Sequence, residues 1–195
     1  MLILVDMDGV LCNYGAAFDK AWKTKYPDAP WFPSETATTF FIKDQYPEEW
    51  HEQTSTINVE PGFFRNLEPI SGGVEALRAL EEAGHVVRIC TAPLTNYQNC
   101  VLEKHEWVEE HLGVEWVRKV TTTKDKVLVA GDVLIDDKPD ISGLIVPSWT
   151  HVRFDAPYNR LSGHTLLNWS NYVEVLAEVE KERRKAGTLL TLRTS

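Results

Sequence analysis

Near the start of the chain, residues 2–9 read Leu2-Ile3-Leu4-Val5-Asp6-Met7-Asp8-Gly9. The first four residues of this stretch form a continuous apolar run, which is typical of a strand buried on both faces of a parallel sheet. We predict further strands of this type from the runs at residues 86–90, 127–129, 133–135, 144–146 and 151–154. Two acidic residues follow the first run at once, so polar chemistry begins where the strand ends.

Helical patterns lie between these runs. In residues 71–84, Val74, Leu77 and Leu80 recur at a spacing of three, Ser71 is a candidate N-cap, and Gly84 suits the left-handed end. Two more helices are predicted at residues 97–112, with Val101, Val108 and Leu112 on one face, and at residues 170–185. Strands that alternate with helices predict an α/β fold with a mostly parallel sheet flanked by helices.

Residues 15–69 interrupt this alternation. They are rich in Trp, Phe, Tyr, Pro and Thr and show no strand pattern, so we predict a small, mainly helical insertion. Residues 1–14 and 70–195 then form the core domain. Because the insertion follows the first strand, we expect it over the carboxyl ends of the strands, where open α/β sheets bind ligands.

Composition excludes several classes of protein. The 195 residues carry 29 acidic and 20 basic side chains, a formal charge of −9, which disfavours binding of a nucleic acid polymer. No apolar run approaches the length of a membrane span, so we expect no membrane association. The three cysteines have no CxxC spacing, which favours a reducing compartment and a cytoplasmic protein.

Two acidic pairs are the sharpest chemical signal. Asp6 and Asp8 are two residues apart in an extended segment, so their side chains point to the same side, while Gly9 allows a turn. Asp136 and Asp137 end the run at residues 133–135. If both pairs lie on one sheet edge, their charges require a cation, and hard oxygen ligands favour Mg²⁺. The alternative is two unrelated acidic turns.

Two further residues belong to the same predicted edge. Thr91 follows the run at residues 86–90 and offers a hydroxyl for a phosphate oxygen. Lys126 stands ten residues before Asp136 and offers a positive charge, although position alone leaves Lys124 as a rival. Each could also be an ordinary turn or surface residue.

Taken in order, these residues resemble the four motifs of the haloacid dehalogenase (HAD) superfamily of phosphatases. The resemblance implies that Asp6 is the nucleophile that forms an aspartyl-phosphate and that Asp8 is the general acid and base. It also implies that Thr91 and Lys126 bind the phosphoryl group.

The same resemblance implies a magnesium site. Its ligands would be Asp6, the main-chain carbonyl of Asp8, and Asp137 directly, with Asp136 in support. Mg²⁺ is therefore the expected cofactor.

A narrower resemblance, to the 5'(3')-deoxyribonucleotidase family, rests on residues 6–11 (DMDGVL), 61–69 (PGFFRNLEP), 89–93 (ICTAP) and 134–140 (LIDDKPD). It implies a helical cap at residues 15–69 and aromatic side chains that stack on the base. In this chain Tyr14, Phe40 and Phe41 fall where these pocket residues are expected. These rings could instead form the core of the cap. Ala92 stands where a Ser often follows the motif threonine, so only its backbone amide would serve the phosphate.

We therefore expect a phosphoric monoester hydrolase that acts on (deoxy)ribonucleoside monophosphates, preferably deoxyribonucleoside 5'-monophosphates. The alternative within catalysis is a phosphatase for a sugar phosphate or another small metabolite. Two hypotheses outside catalysis are a phospho-accepting signalling module and a noncatalytic nucleotide-binding protein. Asp8 and the insertion speak against the signalling module. A homodimer is compatible with this organisation, although no motif requires one.

Overall fold

Five parallel strands form the centre of the molecule in a computed structural model that describes residues 1–160 and 163–192. Their order across the sheet is β3-β2-β1-β4-β5. Their bounds are Leu2–Val5 (β1), Val86–Thr91 (β2), Val120–Thr122 (β3), Val133–Asp136 (β4) and Thr150–Arg153 (β5). The predicted α/β fold with a parallel sheet is confirmed. Residues 161–162 and 193–195 of the predicted core domain lie outside the described residues.

The central strand β1 is buried on both faces, as its apolar run predicts. Ile3 and Val5 pack into the larger apolar cluster on one face, and Leu4 packs on the other face with Leu134 and Trp149. This alternation follows from the period of two in a strand. Because β1 is apolar on both faces, the first charged side chain of the chain, Asp6, lies just beyond its carboxyl end.

Helices cover the face of the sheet that carries Ile3 and Val5. They are α3 (Gly73–Glu82), α4 (Cys100–Leu112), α5 (Val114–Val117) and α6 (Tyr172–Ala186). Leu77, Val108 and Leu176 from these helices are almost fully buried in the larger cluster. Within the described residues, none of the helices combines the length and the apolarity that a membrane crossing requires.

Two predicted strands are wrong. Residues 126–128 form a 3₁₀ turn, in which Val127 is buried against the second face of the sheet while Leu128 is 56% exposed. Residues 144–146 form an exposed loop, with Val146 at 91% exposure. Three apolar residues are too few to show a period, so a run of this length does not identify a strand.

Two details of the predicted helices also change. Helix α3 follows Gly72, whose φ is +84°, and Ser71 provides no cap. Helix α4 begins at Cys100, and Val101 is 36% exposed because the buried face is centred on Cys100, Lys104 and Trp107.

The insertion contains α1 (Tyr14–Lys25), α2 (His51–Ile57) and three 3₁₀ turns at residues 34–36, 42–45 and 48–50. Phe18, Trp22, Tyr46 and Ile57 form a buried apolar cluster of its own. Its two ends lie side by side, because the Asn13 amide donates to the Glu68 carbonyl at 2.8 Å and the Ile70 amide donates to the Leu11 carbonyl at 2.7 Å.

Candidate functional site

Three neighbouring strands bring the predicted site residues to one edge of the sheet. Asp6 directly follows β1, Thr91 is the last residue of β2, and Asp136 is the last residue of β4. Strands β2 and β4 both pair in parallel with β1, so their carboxyl ends meet at this edge. The two acidic pairs are therefore not unrelated turns.

Asp6, Asp136 and Asp137 form a buried acidic cluster. One carboxylate oxygen from each lies within 4.8 Å of the others. The pKa of Asp137 is raised well above its usual range by burial and by the negative charges of Asp6 and Asp136. Hard oxygen ligands at this spacing suit a small divalent cation, which would relieve the repulsion.

Gly9 allows the backbone to pass close to this cluster. Its φ is +76°, and a Cβ at this position would lie 2.0 Å from Oδ2 of Asp137. Any other residue would therefore displace a carboxylate of the cluster. The turn at Gly9 is as the sequence predicts, whereas the approach to Asp137 is seen only in the structure.

Lys126 neutralises the acidic cluster from one side. Its Nζ lies 2.7 Å from Oδ1 of Asp6 and 2.7 Å from Oδ2 of Asp136. Burial lowers the pKa of this ammonium, but the two carboxylates outweigh burial and raise it. Burial and Asp6 raise the pKa of Asp136 to about 6, against the opposing effect of Lys126. Lys124, its rival by position, is exposed and lines the cavity above the sheet edge.

Asp8 has a different cation, Lys104 of helix α4, which the sequence analysis missed. Lys104 is 1% exposed. Its Nζ donates to Oδ2 of Asp8 at 2.7 Å, to Oγ1 of Thr91 at 2.8 Å and to the Ala92 carbonyl at 3.0 Å. Burial raises the pKa of Asp8, Lys104 lowers it, and Asp6 raises it, with a net rise. Because the Thr91 oxygen accepts from Lys104, its proton is left to donate to a ligand.

The spacing of α4 identifies Lys104 only once the buried face of the helix is known. Cys100, Glu103, Lys104, Trp107 and Val108 are all buried, at the i, i+3, i+4, i+7 and i+8 positions of one helical face. Charged residues on such a buried face require polar partners. Glu103 does accept buried hydrogen bonds, from the backbone amides of Gly62 at 2.7 Å and Phe64 at 3.1 Å.

A cavity of about 520 Å³ opens above the sheet edge. Its lining includes the predicted residues Asp6, Asp8, Thr91, Ala92, Asp137, Tyr14, Phe40 and Phe41. Phe40 and Phe41 are edge to face at 5.0 Å, and Phe41 is 54% exposed. Tyr14 contacts Phe63, with ring centroids 5.4 Å apart. Phe40 and Phe41 are not part of the buried cluster of the insertion, whereas Tyr14 packs against the main apolar cluster and its hydroxyl accepts from Asn58 at 2.9 Å.

Tyr158 is a second residue at the site that the sequence analysis missed. It lies in a 3₁₀ turn, Pro157–Asn159, that follows β5. Its hydroxyl donates to Oδ2 of Asp137 at 2.5 Å, and its ring meets Phe40 edge to face at 5.8 Å. No motif or period marks this irregular segment, so nothing in the sequence singled it out.

Comparisons with known proteins agree with this arrangement. Residues 1–181 match the family described as "5' nucleotidase, deoxy (Pyrimidine), cytosolic type C protein". A Bordetella pertussis protein named "Putative 5'(3')-deoxyribonucleotidase" is 45% identical over 91% of this chain and 96% of its own. The human "5'(3')-deoxyribonucleotidase, cytosolic type" is 38% identical over 89% of this chain and 92% of its own.

A solved structure supports the fold. The HAD family hydrolase from Deinococcus radiodurans, crystallised with bound phosphate and sodium, has a TM-score of 0.58 at 18% identity. The alignment covers 92% of this chain and 96% of that one. The HAD fold that the motifs predict is confirmed. With the sheet-edge residues and the family match together, the chain belongs to the 5'(3')-deoxyribonucleotidase family of phosphoric monoester hydrolases.

Proposed function

We propose that this protein is a magnesium-dependent phosphatase that dephosphorylates (deoxy)ribonucleoside monophosphates, preferably deoxyribonucleoside 5'-monophosphates. The observation that carries the proposal is the convergence of Asp6, Thr91 and Asp136 at three adjacent strand ends, directly below a cavity with aromatic walls. The names of the relatives support the nucleotide as substrate.

Asp6 is the proposed nucleophile. Its carboxylate attacks the phosphorus atom, and the bond between phosphorus and the ester oxygen breaks as an aspartyl-phosphate forms. Lys126, 2.7 Å from Oδ1 of Asp6, stabilises the negative charge around the transferring group. The Thr91 hydroxyl donates to a phosphoryl oxygen, and the backbone amide of Ala92 is the proposed second donor.

Asp8 moves the proton in both steps. In the first step it donates a proton to the leaving ester oxygen of the nucleoside. In the second step it takes a proton from water, whose oxygen attacks phosphorus. The bond between phosphorus and the Asp6 oxygen breaks, which regenerates the Asp6 carboxylate and releases inorganic phosphate. Lys104 fixes one oxygen of Asp8 at 2.7 Å, so it acts as a positioning residue for both transfers.

Mg²⁺ suits the buried acidic cluster, where three carboxylate oxygens converge with their charges only partly neutralised by Lys126. The proposed ligands are Asp6, the main-chain carbonyl of Asp8 and Asp137, with Asp136 in support. When bound, the ion polarises the phosphoryl oxygens and offsets their negative charge.

Phe40, Phe41 and Tyr14 form the proposed base pocket. Aromatic faces stack on a nucleobase with little loss of side-chain entropy. We further propose that residues 15–69 act as the cap and that residues 1–14 and 70–195 form the core domain, since the insertion has its own buried cluster. The cytoplasm is the proposed location, in keeping with the free thiols of Cys12, Cys90 and Cys100.

The test is phosphate release from deoxy- and ribonucleoside 5'- and 3'-monophosphates and from sugar phosphates, measured with Mg²⁺ and with EDTA. Asp6→Asn removes the nucleophile, and Asp28→Asn changes an exposed aspartate of the insertion as the matched control. We expect Mg²⁺-dependent release that favours deoxyribonucleotides, is lost in Asp6→Asn and is kept in Asp28→Asn. Equal rates on sugar phosphates and nucleotides would favour the general phosphatase, and full activity in Asp6→Asn would refute the mechanism.

A further inference from the structure

Tyr158 contacts both halves of the site with one side chain. Its hydroxyl donates to Oδ2 of Asp137 at 2.5 Å. Its ring lies edge to face against Phe40 at 5.8 Å, with the planes at 88°. The acidic cluster and the aromatic wall of the cavity are therefore joined through a single residue.

Asp137 differs from its neighbours in how it is held. Asp6 and Asp136 are paired with Lys126, and Asp136 also accepts from the Lys138 amide at 2.9 Å. Among residues 1–160 and 163–192, Tyr158 is the donor to the carboxylate of Asp137. A hydrogen bond to one oxygen fixes the rotation of the carboxylate, and so the direction in which both oxygens face a cation.

The backbone around Tyr158 is fixed to the same part of the core. The Asn159 side chain is 1% exposed and donates to the main-chain carbonyl of Asp137 at 2.7 Å and to that of Phe154 at 3.0 Å. The turn that carries Tyr158 therefore cannot move far from Asp137. The position of the ring is then set by what it packs against, which on the cavity side is Phe40.

We propose that Tyr158 is a positioning residue that couples occupation of the aromatic pocket to binding of the divalent cation at Asp137. A base against Phe40 restricts that ring, Phe40 restricts Tyr158, and the Tyr158 hydroxyl holds Asp137 in the orientation that accepts the cation. Such coupling is reciprocal, so the cation strengthens binding of the base by the same factor. This inference rests on the base pocket and the cation site of the proposed function.

The experiment uses ligands without a phosphate, which cannot contact the cation themselves. Mn²⁺, which prefers similar oxygen ligands, is titrated into the full-length protein and followed by electron paramagnetic resonance. Titrations are made without addition, with each of the four common 2'-deoxynucleosides, and with 2-deoxyribose as the ligand that lacks a base. Tyr158→Phe keeps the ring and removes the hydroxyl. Tyr26→Phe is the matched control, since its hydroxyl pairs with Thr56 inside the insertion at 2.9 Å.

In the wild type we expect at least one nucleoside to tighten Mn²⁺ binding by about fivefold or more, within the usual range of coupling between sites, and deoxyribose to have no effect. In Tyr158→Phe we expect Mn²⁺ binding about tenfold weaker, as for loss of a hydrogen bond to a metal ligand, and no effect of the nucleoside. Tyr26→Phe should behave as the wild type does.

Two results would overturn the inference: no nucleoside effect in the wild type, or the same nucleoside effect in Tyr158→Phe as in the wild type. In the second case, weaker Mn²⁺ binding by Tyr158→Phe would show a purely structural role. Phosphate release from nucleotides, measured on the same preparations, distinguishes failure of this inference from failure of the proposed function. If the protein hydrolyses nucleotides but shows no coupling, this inference is wrong and the proposed function stands. If the protein shows neither hydrolysis nor coupling, both are wrong.

Discussion

Two buried lysines divide the site into two halves. Lys126 lies in the 3₁₀ turn between β3 and β4 and pairs with Asp6 and Asp136. Lys104 lies in the middle of helix α4 and binds Asp8 and Thr91. The first half holds the proposed nucleophile, and the second holds the proposed acid and base. In the proposed mechanism the sheet edge therefore supplies the reacting groups, and helix α4 supplies the cation that positions the proton-transferring Asp8.

The largest effect is expected from Lys126→Met. Loss of this ammonium removes charge stabilisation of the transferring group, so we expect kcat to fall by about 1000-fold. It also leaves two buried carboxylates without their partner, which should lower the free energy of unfolding by about 3 kcal/mol. Phosphate release and urea denaturation measure the two effects.

Lys20→Met is the matched control for this prediction. Lys20 is exposed on α1 and does not line the cavity, so its removal should leave kcat unchanged and should change the free energy of unfolding by less than about 0.5 kcal/mol. Equal losses in the two variants would show that the pairing of Lys126 has no special role.

Lys104→Met should lower kcat by about 100-fold, because Asp8 and Thr91 lose the group that positions them. Lys104 lowers the pKa of Asp8, so its removal raises that pKa. The base form of Asp8 is then present only at higher pH, and the acidic limb of the profile of kcat against pH should move upward. Lys119→Met, which breaks an ion pair with Glu81 at 2.6 Å, should leave that limb in place. An unmoved limb in Lys104→Met would contradict the pairing with Asp8.

A double-mutant cycle on stability tests whether the two halves are separate. Removing Lys104 leaves Asp8 as a partly buried, unpaired charge, so adding Asp8→Asn to Lys104→Met should recover about 1 kcal/mol of the summed loss in unfolding free energy. Asp8→Asn and Lys126→Met should show weaker coupling than this, because Lys126 forms its ion pairs with Asp6 and Asp136 and acts on Asp8 only at longer range through its charge. Strong coupling in the second cycle would mean that the site is one network.

The smallest effect is expected from Phe41→Ala. Phe41 is 54% exposed, so loss of its ring should cost about 1 kcal/mol of base stacking, or about fivefold in KM for a nucleotide. 2-Deoxyribose 5-phosphate, which has no aromatic ring to stack on Phe41, should react with unchanged KM. An equal rise in KM for both substrates would place Phe41 outside the base pocket.

Much of the sheet and half of the site could be predicted from strand ends. Asp6, Thr91 and Asp136 follow recognisable apolar runs, and parallel pairing brings such ends together. The strand prediction was wrong for two of the three-residue runs, because Val127 is buried in a 3₁₀ turn and Val146 is exposed in a loop. At three residues, a strand and a turn have the same apolar pattern.

The missed half depends on tertiary packing. Lys104 is an ordinary lysine of a helix until the buried face of α4 is known, and that face is set by packing of Cys100 and Trp107. Tyr158 lies in an irregular segment where side-chain direction has no period. Both residues reach the acidic groups from elements that are distant in the chain, and local sequence carries little information about such contacts.

The most direct test of the mechanism is to trap the phosphorylated protein. Asp8→Asn, which can neither protonate an alkoxide leaving group nor activate water, is mixed with Mg²⁺ and p-nitrophenyl phosphate, whose leaving group departs without protonation, then quenched and mapped by peptide mass spectrometry. We predict one phosphoryl group on the peptide that contains Asp6 and none when Asp6→Asn is added. A phosphoryl group on another residue, or full turnover in Asp8→Asn with no trapped species, would contradict the assignment of the two carboxylates.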